Sequence, residues 1–392
     1  MDNFISKIHI KNVRKIQNVE LNISNEKRIN IIFTGKNGSG KTSILESIKE
    51  YLKEQYKEYG DIILDSGMKA EIVAQWESGA ETINDKIYID FSDKEKMLEE
   101  YKKGSFIVVY FDANRSQKNM ELEPLDKKIE NIKLKEQYNI DEQVSTSFVK
   151  YLVDLKTQLA YAQLDGKNEE LNKIKLWFDN FENLLKEIFE DKVLELLYDS
   201  KNYKFEIKSN GQQFGFDVLA DGYASIIKIV MEIMMRMDNK VSNTRLYDIQ
   251  GIVLIDEIET HLHVSLQKII MPFLTKTFPN IQFVITTHSP FVLNSIPNTF
   301  IYDLQNKIQI SDLSKYSYDG IIEEYFEENQ YSEVIRDKIK KYEELVNINE
   351  PTDEQLSEIE DLEIDIETPK FAEELYNKYY ELKNKKEISV NG

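Results

Sequence analysis

Cysteine is absent from the 392-residue chain. That excludes disulfide frameworks, thiolate zinc sites and cysteine nucleophiles, and it suits a reducing, cytoplasmic compartment. Glycine and proline are scarce, 14 and 7 residues, as in a chain dominated by regular elements. No uninterrupted apolar stretch approaches the ~20 residues of a membrane span. The opening residues, MDNFISKIHIKN, have no apolar core of signal-peptide length, so no membrane association is expected. Basic residues are outnumbered, 50 Lys and Arg against 70 Asp and Glu, for a net charge of −20. Non-specific nucleic-acid binding is therefore disfavoured as a whole-chain property, while a local basic groove stays compatible with it. What is present is a hydrophobic fraction of 41%, too high for a disordered chain and enough for a large core plus a second lobe.

Residues 1–33 read as two or three strands. Val19, Leu21 and Ile23 alternate with polar neighbours, and Ile29 to Phe33 is a short apolar run ending at Thr34-Gly35. Helical spacing follows at Ile44, Leu45, Ile48, Tyr51 and Leu52. Residues 60–92 read as a small β insert with strands at Ile72–Trp76 and Ile87–Phe91, and Phe106 to Phe111 reads as a buried strand. Residues 121–193 read as a helical arm or helical subdomain broken at Asp165-Gly166. Its stripes are Phe148, Leu152, Leu155 and Leu159, then Leu176, Phe181, Leu184, Leu185 and Ile188. Strands return at Leu194–Tyr198 and Tyr203–Ile207. Residues 223–238 read as an amphipathic helix, with Ile226, Ile227, Val230, Met231, Met234 and Met237 on one side and Lys228, Glu232 and Arg236 on the other. Ile252–Ile255 and Phe283–Ile285 read as buried strands, and beyond about residue 315 the chain turns helical and highly charged.

Gly35-Lys36-Asn37-Gly38-Ser39-Gly40-Lys41-Thr42 fits the template GxxxxGK[ST] in full, between a strand and a helix. Glycines let successive backbone N–H groups turn inward around phosphates, and the helix N-terminus adds partial positive charge. Gly35, Asn37, Gly38, Ser39, Gly40, Lys41, Thr42 and Ser43 are the candidate nucleotide ligands. Lys41 can reach the β- and γ-phosphates, and the Thr42 hydroxyl can take a Mg²⁺ position. The strand Ile252–Ile255 ends in Asp256-Glu257. One acid there serves Mg²⁺ and the next, Glu257, can polarise the attacking water, which suits ATP hydrolysis. The gap between Lys41 and this pair is too long for a compact GTPase or a small-molecule kinase.

Leu219-Ala220-Asp221-Gly222-Tyr223-Ala224-Ser225 leads into the amphipathic helix, and Thr286-Thr287-His288-Ser289-Pro290 ends a later strand. This ordered set resembles the ABC-type ATPase heads of the SMC/RecF/OLD group within the AAA-family ATPases. The strings Asp256–His263, Phe278–Phe283 and Thr287–Phe291 sharpen it toward anti-phage defence ATPases of the Septu PtuA and retron-associated kind. The resemblance covers roughly residues 1–58 and 200–340. It implies an α/β P-loop NTPase of ABC/SMC-head type, a mixed sheet with helices, an inserted helical arm and a helical C-terminal region. It implies that Leu219, Asp221 and Gly222 cap the γ-phosphate held by a partner head, that His288 contacts γ-phosphate, and that Arg14 lies near the phosphates. It also implies a homodimer or higher oligomer acting on an HNH-type effector nuclease, with DNA as a further ligand. A RecF- or OLD-like repair ATPase and an ATP-gated scaffold with little turnover are the alternatives.

The chain departs from that group at two places. Ala220 stands where the signature carries Ser, a γ-phosphate donor. No Gln directly follows Phe111, where Asp112-Ala113-Asn114-Arg115 stands and Gln117 is a weak candidate. His261 and His263, two apart on a helix, would face different sides, and contacts across a head dimer suit them better than zinc. The acids at 361–367 read as a solvated helix, with Leu356, Ile359, Leu362 and Ile366 as its apolar stripe. Phe371, Leu375, Tyr376, Tyr379 and Tyr380 read as a helix-packing or partner-docking face. The expected division is an N-lobe at 1–120, an arm at 121–193, a C-lobe at 194–312 and an acidic helical region at 313–392.

Overall fold

The computed structural model describes residues 2–61, 83–114, 134–135, 137–238, 248–310, 312–321, 333–348 and 352–367. The expected strand Ile72–Trp76, Arg115, Gln117 and the aromatic set from Phe371 to Tyr380 lie outside these residues. The first 34 residues form three strands, β1 (Ile5–Val13), β2 (Ile16–Asn22) and β3 (Ile31–Thr34). β2 alternates because one of its faces packs on the core. β3 is buried throughout, the pattern of a parallel strand in a sheet covered on both faces. Next come α1 (Lys41–Asp61), β4 (Ile87–Phe91), α2 (Lys94–Lys102) and β5 (Phe106–Phe111).

β4 pairs antiparallel with β1 to give a sheet of order β2-β1-β4. The central sheet has the order β12-β11-β3-β10-β9-β5, from β9 (Gln250–Ile255), β10 (Ile281–Thr286), β11 (Phe300–Asp303) and β12 (Ile308–Ile310). Every pairing in it is parallel except β11–β12. α1 touches β1 and β4 of one sheet and β9 and β10 of the other. Its Ile44, Leu45, Ile48, Tyr51 and Leu52 are fully buried in one core with residues of both sheets. The helical spacing read from the sequence is the stripe that fills this gap.

Among the described residues of the 121–193 region are the helices α3 (Phe148–Leu164) and α4 (Asn168–Ile188), turning at Asp165-Gly166. Phe148, Trp177, Phe181 and Phe216 pack ring against ring at the base. The second stripe runs through Ile174, Trp177, Phe178, Phe181, Leu185 and Ile188. Leu176 does not belong to it and is 53% exposed, and Leu164 and Tyr161 towards the turn are exposed too. A small antiparallel sheet follows, β6 (Glu195–Asp199), β7 (Lys204–Ser209) and β8 (Gln212–Gly215), in that order. β8 is short and polar and has no alternating apolar signal.

α5 (Asp221–Asp238) departs from the two-faced helix expected of it. Lys228, Glu232 and Arg236 are as buried as the methionines. Arg236 Nε donates to Glu232 Oε1 at 2.8 Å, its Nη1 to Val108 O and its Nη2 to Asn139 O and Glu142 O. Glu232 Oε2 accepts the Ser145 N–H at 2.8 Å. A step-of-four charged row is the pattern of a solvated face. Here it becomes an internal hydrogen-bonded strut because β5 and the segment leading into α3 cover it. After α5 come β9, α6 (Val264–Thr277), β10, α7 (Pro290–Asn294), β11 and β12.

Residues 1–316 make one compact unit and 317–392 a second. In the second, α8 (Glu333–Val346) and α9 (Asp353–Glu367) bury Tyr342 and Leu345 with Ile359 and Leu362. Leu356, placed in that stripe by its spacing, is exposed. No helix among the described residues is long and apolar enough to cross a membrane.

Candidate active site

Three adjacent parallel strands deliver the site. β10 lies between β3 and β9, with Thr286 opposite Phe33 and Ile285 opposite Ile255. The residues that follow these strands, Gly35, Asp256-Glu257 and Thr287-His288, therefore leave the sheet at one edge. Ligands of open parallel sheets bind at that carboxyl edge.

The phosphate loop begins on Gly35, at φ 134°, and Gly38 and Gly40 also have positive φ. A Cβ on Gly35 would sit 2.9 Å from Ser39 Oγ and 3.3 Å from Asp303 Oδ1, so the turn is closed to any larger residue. Lys41 opens α1 and is only 5% exposed. Its Nζ donates to Gly35 O at 2.8 Å and Lys36 O at 3.3 Å. Asn37, Gly38 and Thr42 are exposed, while Ser43 is buried in the first turn. No acid stands in that turn of α1, so nothing there opposes the helix N-terminus as an anion site. Arg14 sits exposed at the β1–β2 turn with φ 52°. The next strand brings Ile16 Cδ1 within 3.6 Å of the Cβ position of Gly40, so this hairpin end lies against the loop.

Asp256 is 1% exposed. It is held by its own N–H on Phe111 O at 2.9 Å and by Thr286 Oγ1, which donates to Oδ1 at 2.5 Å. The same Thr286 oxygen accepts the Glu257 N–H at 2.7 Å. Glu257 has φ 44°. A left-handed Glu costs of order 1–3 kcal/mol and turns its side chain away from the direction the strand would have given it. The Asp256 carboxylate and the Thr42 hydroxyl are hard oxygens of the kind Mg²⁺ prefers. Among the described residues no cluster of three or more His or carboxylate groups suits a metal by itself.

His288 is half exposed, and its ring Nδ1 lies 2.8 Å from Glu259 Oε1. Its backbone N–H donates to the same oxygen at 2.7 Å. Thr287 N donates to Phe33 O at 3.0 Å, tying this segment to the strand that precedes the phosphate loop. The Glu259 bond raises the His288 pKa against the pull of burial; Lys41 nearby lowers it and Glu257 raises it. Burial pushes the Glu259 pKa up, but the hydrogen bonds from His288 outweigh it and leave the carboxyl below its ordinary value. Glu259 and Thr286 were missed in the sequence. Each lies inside a motif string, yet its partner stands about thirty residues away in the chain and meets it only across β9–β10.

The signature segment is placed differently. Leu219 is buried, whereas Ala220 and Asp221 are exposed at the start of α5. A Cβ on Gly222 would meet His261 O at 3.0 Å and Leu266 Cδ1 at 3.2 Å. The close approach that Gly222 permits is thus to its own chain, and the exposed face of the segment is Ala220-Asp221. His261 and His263 are not on a helix. His261 is in a turn with φ 66°, and His263 caps α6 with its ring accepting from Ser265 N.

The family described as AAA ATPase domain matches residues 4–173 and 63–293. Septu protein PtuA of Bacillus mycoides (strain KBAB4) is 28% identical over 314 residues, covering 75% of this chain and 39% of that protein. The retron Ec83 probable ATPase of Escherichia coli is 39% identical over 114 residues, covering 29% of this chain and 19% of that protein. The chain therefore spans well under half the length of both relatives. Among solved structures, the Smc head domain with an extended coiled coil bound to the C-terminal domain of ScpA, from Pyrococcus furiosus, aligns with a TM-score of 0.42 at 13% identity. That alignment covers 79% of this chain and 96% of that one.

Proposed function

The chain belongs to the AAA ATPase domain family, and from that premise we propose that it binds ATP with Mg²⁺ at the edge formed by β3, β10 and β9 and hydrolyses it to ADP and phosphate. The observation that carries this reading is the convergence of the glycine loop, Asp256-Glu257 and His288 at one end of three neighbouring strands. The backbone N–H groups of Gly38, Ser39 and Gly40 and the Lys41 ammonium hold the phosphates. Thr42 and Asp256 hold the metal, which when bound neutralises charge developing on the phosphate oxygens. Glu257, turned out of the strand by its left-handed backbone, orients a water for in-line attack. His288 donates to the terminal phosphate oxygen, and Arg14 adds a cation from the β1–β2 turn.

The exposed Ala220-Asp221 edge, with Leu219 and Gly222 shaping it from behind, meets the nucleotide of a second copy. In this reading the assembly is a cytoplasmic defence complex whose output is an HNH-type effector nuclease, with DNA as the object of that output. A second reading, an ATP-gated scaffold with slow turnover, is favoured by Ala220. A missing hydroxyl donor to a charged acceptor is worth about 1.5–3 kcal/mol. Lys41→Ala should abolish ATP binding by calorimetry in a folded chain, and Glu257→Gln should keep binding while losing phosphate release. Unchanged affinity in Lys41→Ala would remove the phosphate-loop assignment, and equal turnover in Glu257→Gln would remove that residue from the mechanism.

A further inference from the structure

We propose that Glu259 is a positioning residue of this site: its carboxylate clamps His288 so that the ring presents Nε2–H, as a charged donor, toward the terminal phosphate. The inference rests on the hydrolytic reading above and deepens it.

One oxygen of Glu259 accepts two bonds from one residue, the His288 main-chain N–H at 2.7 Å and ring Nδ1 at 2.8 Å. Two anchors on one side chain fix its rotamer and the plane of its ring. An ionised carboxylate can only accept, so the proton of that second bond sits on Nδ1. Nε2 is then left to face outward. On a neutral ring it would be an acceptor and would repel a phosphate oxygen. On a cationic ring it is a donor, and a carboxylate at Nδ1 favours the cation. The burial pattern matches this division of labour. The Glu259 side chain is 5% exposed while that of His288 is 51% exposed. The other carboxylate oxygen, Oε2, is buried with no hydrogen-bond partner among the described residues, so its charge is not spent on a neighbouring donor.

The groups that bear on the ring are identifiable. Glu259 touches it from the turn after β9. Lys41 from α1 and Glu257 from the same turn act on it through space with opposite signs. A purely structural role, holding the turn after β10, needs only an acceptor for the His288 N–H, which an amide oxygen supplies as well. The ring contact is what needs a charge.

The test uses the full chain and three variants, Glu259→Gln, Glu259→Asp and His288→Asn. Imidazole nitrogen resonances are followed against pH. The chain has 4 histidines, and the one lost in His288→Asn identifies His288. Glu259→Gln should lower the His288 titration midpoint by at least one pH unit, and Glu259→Asp should recover part of that shift. Adding the Mg²⁺ complex of a non-hydrolysable ATP analogue should move the parent's Nε2 signal and leave Nδ1 in place. In turnover, Glu259→Gln should cut kcat at least tenfold with KM within threefold, and the alkaline limb of the kcat profile should move to lower pH. In the His288→Asn background the same substitution should cost nothing further, since Glu259 acts through His288. An unchanged midpoint in folded Glu259→Gln, or an equal loss of kcat with His288 already removed, overturns the proposal. A chain that binds ATP without turning it over would defeat the hydrolytic reading alone, and the midpoint and analogue shift would still decide the role of Glu259.

Discussion

Thr286 stands between the two acids, donating its hydroxyl hydrogen to Asp256 and accepting the Glu257 N–H. Glu259 holds His288 by accepting from both its main-chain N–H and its ring. Both show at residue scale why the candidate site was only half legible in the sequence. The glycine loop is a local pattern, readable because its candidate ligands lie within nine consecutive residues. Asp256 and Glu257 are readable because they end an apolar strand. The partners that aim these groups come from the neighbouring strand, and one chain without its sheet pairing does not reveal them.

The Glu259–His288 pair carries a pH signature whose sign follows from the two shifts. His288 has a folded pKa above its ordinary 6.5. Its contribution to stability is complete below that value and disappears as pH rises through the folded one. Glu259 has a folded pKa below its ordinary 4.5. Its contribution is complete above that value and disappears as pH falls through the folded one. The stability difference between parent and Glu259→Gln should therefore be greatest between about pH 4.5 and 6.5 and shrink on either side. Urea unfolding of both proteins at a series of pH values measures it, and a difference that grows steadily with alkalinity would contradict the assignment.

At the scale of elements, α5 is where periodicity misleads. The row Lys228, Glu232, Arg236 has the spacing of a solvated face, and spacing says nothing about what lies opposite. In the folded chain β5 and residues 139–145 cover that row, and Arg236 ties three backbone carbonyls to the helix. α1 is the contrary case. Its apolar stripe is complete, and both sheets cover it, although β9 and β10 come from far along the chain. The strut also carries a prediction. Arg236→Ala removes the cation, strands Glu232 as a buried charge and leaves the carbonyls of Val108, Asn139 and Glu142 short of a donor. Breaking a buried pair in this way costs about 3–5 kcal/mol, read as a lower urea midpoint with an unchanged slope. A loss under 1 kcal/mol would mean that water reaches this strut. Replacing both partners by apolar residues should not restore parent stability, because the carbonyls and the Ser145 N–H would still lack partners.

At the scale of the whole molecule, the proposed pairing of two copies turns on the exposed start of α5, at Ala220 and Asp221. The expected signature runs from Leu219 to Gly222, but the chain itself uses its ends. Leu219 is buried and Gly222 lies against His261 and Leu266. A charge placed at Gly222 would collide with its own backbone, and a lost dimer would then report misfolding as readily as a lost contact. Ala220 is the discriminating position, because it is exposed and its Cβ can be extended without disturbing the fold. In the Glu257→Gln background, where bound ATP persists, Ala220→Glu sets a carboxylate against the partner's γ-phosphate. It should abolish ATP-dependent association while each copy binds ATP with parent affinity. Ala220→Ser does the opposite. It supplies a hydroxyl donor to a charged oxygen, worth about 1.5–3 kcal/mol per contact, so each of the two symmetric contacts should tighten the ATP-bound dimer by roughly ten- to a hundredfold in sedimentation velocity. If neither substitution changes ATP-dependent assembly, copies of this chain do not meet through the α5 N-terminus. Any ATP-dependent assembly would then use another surface.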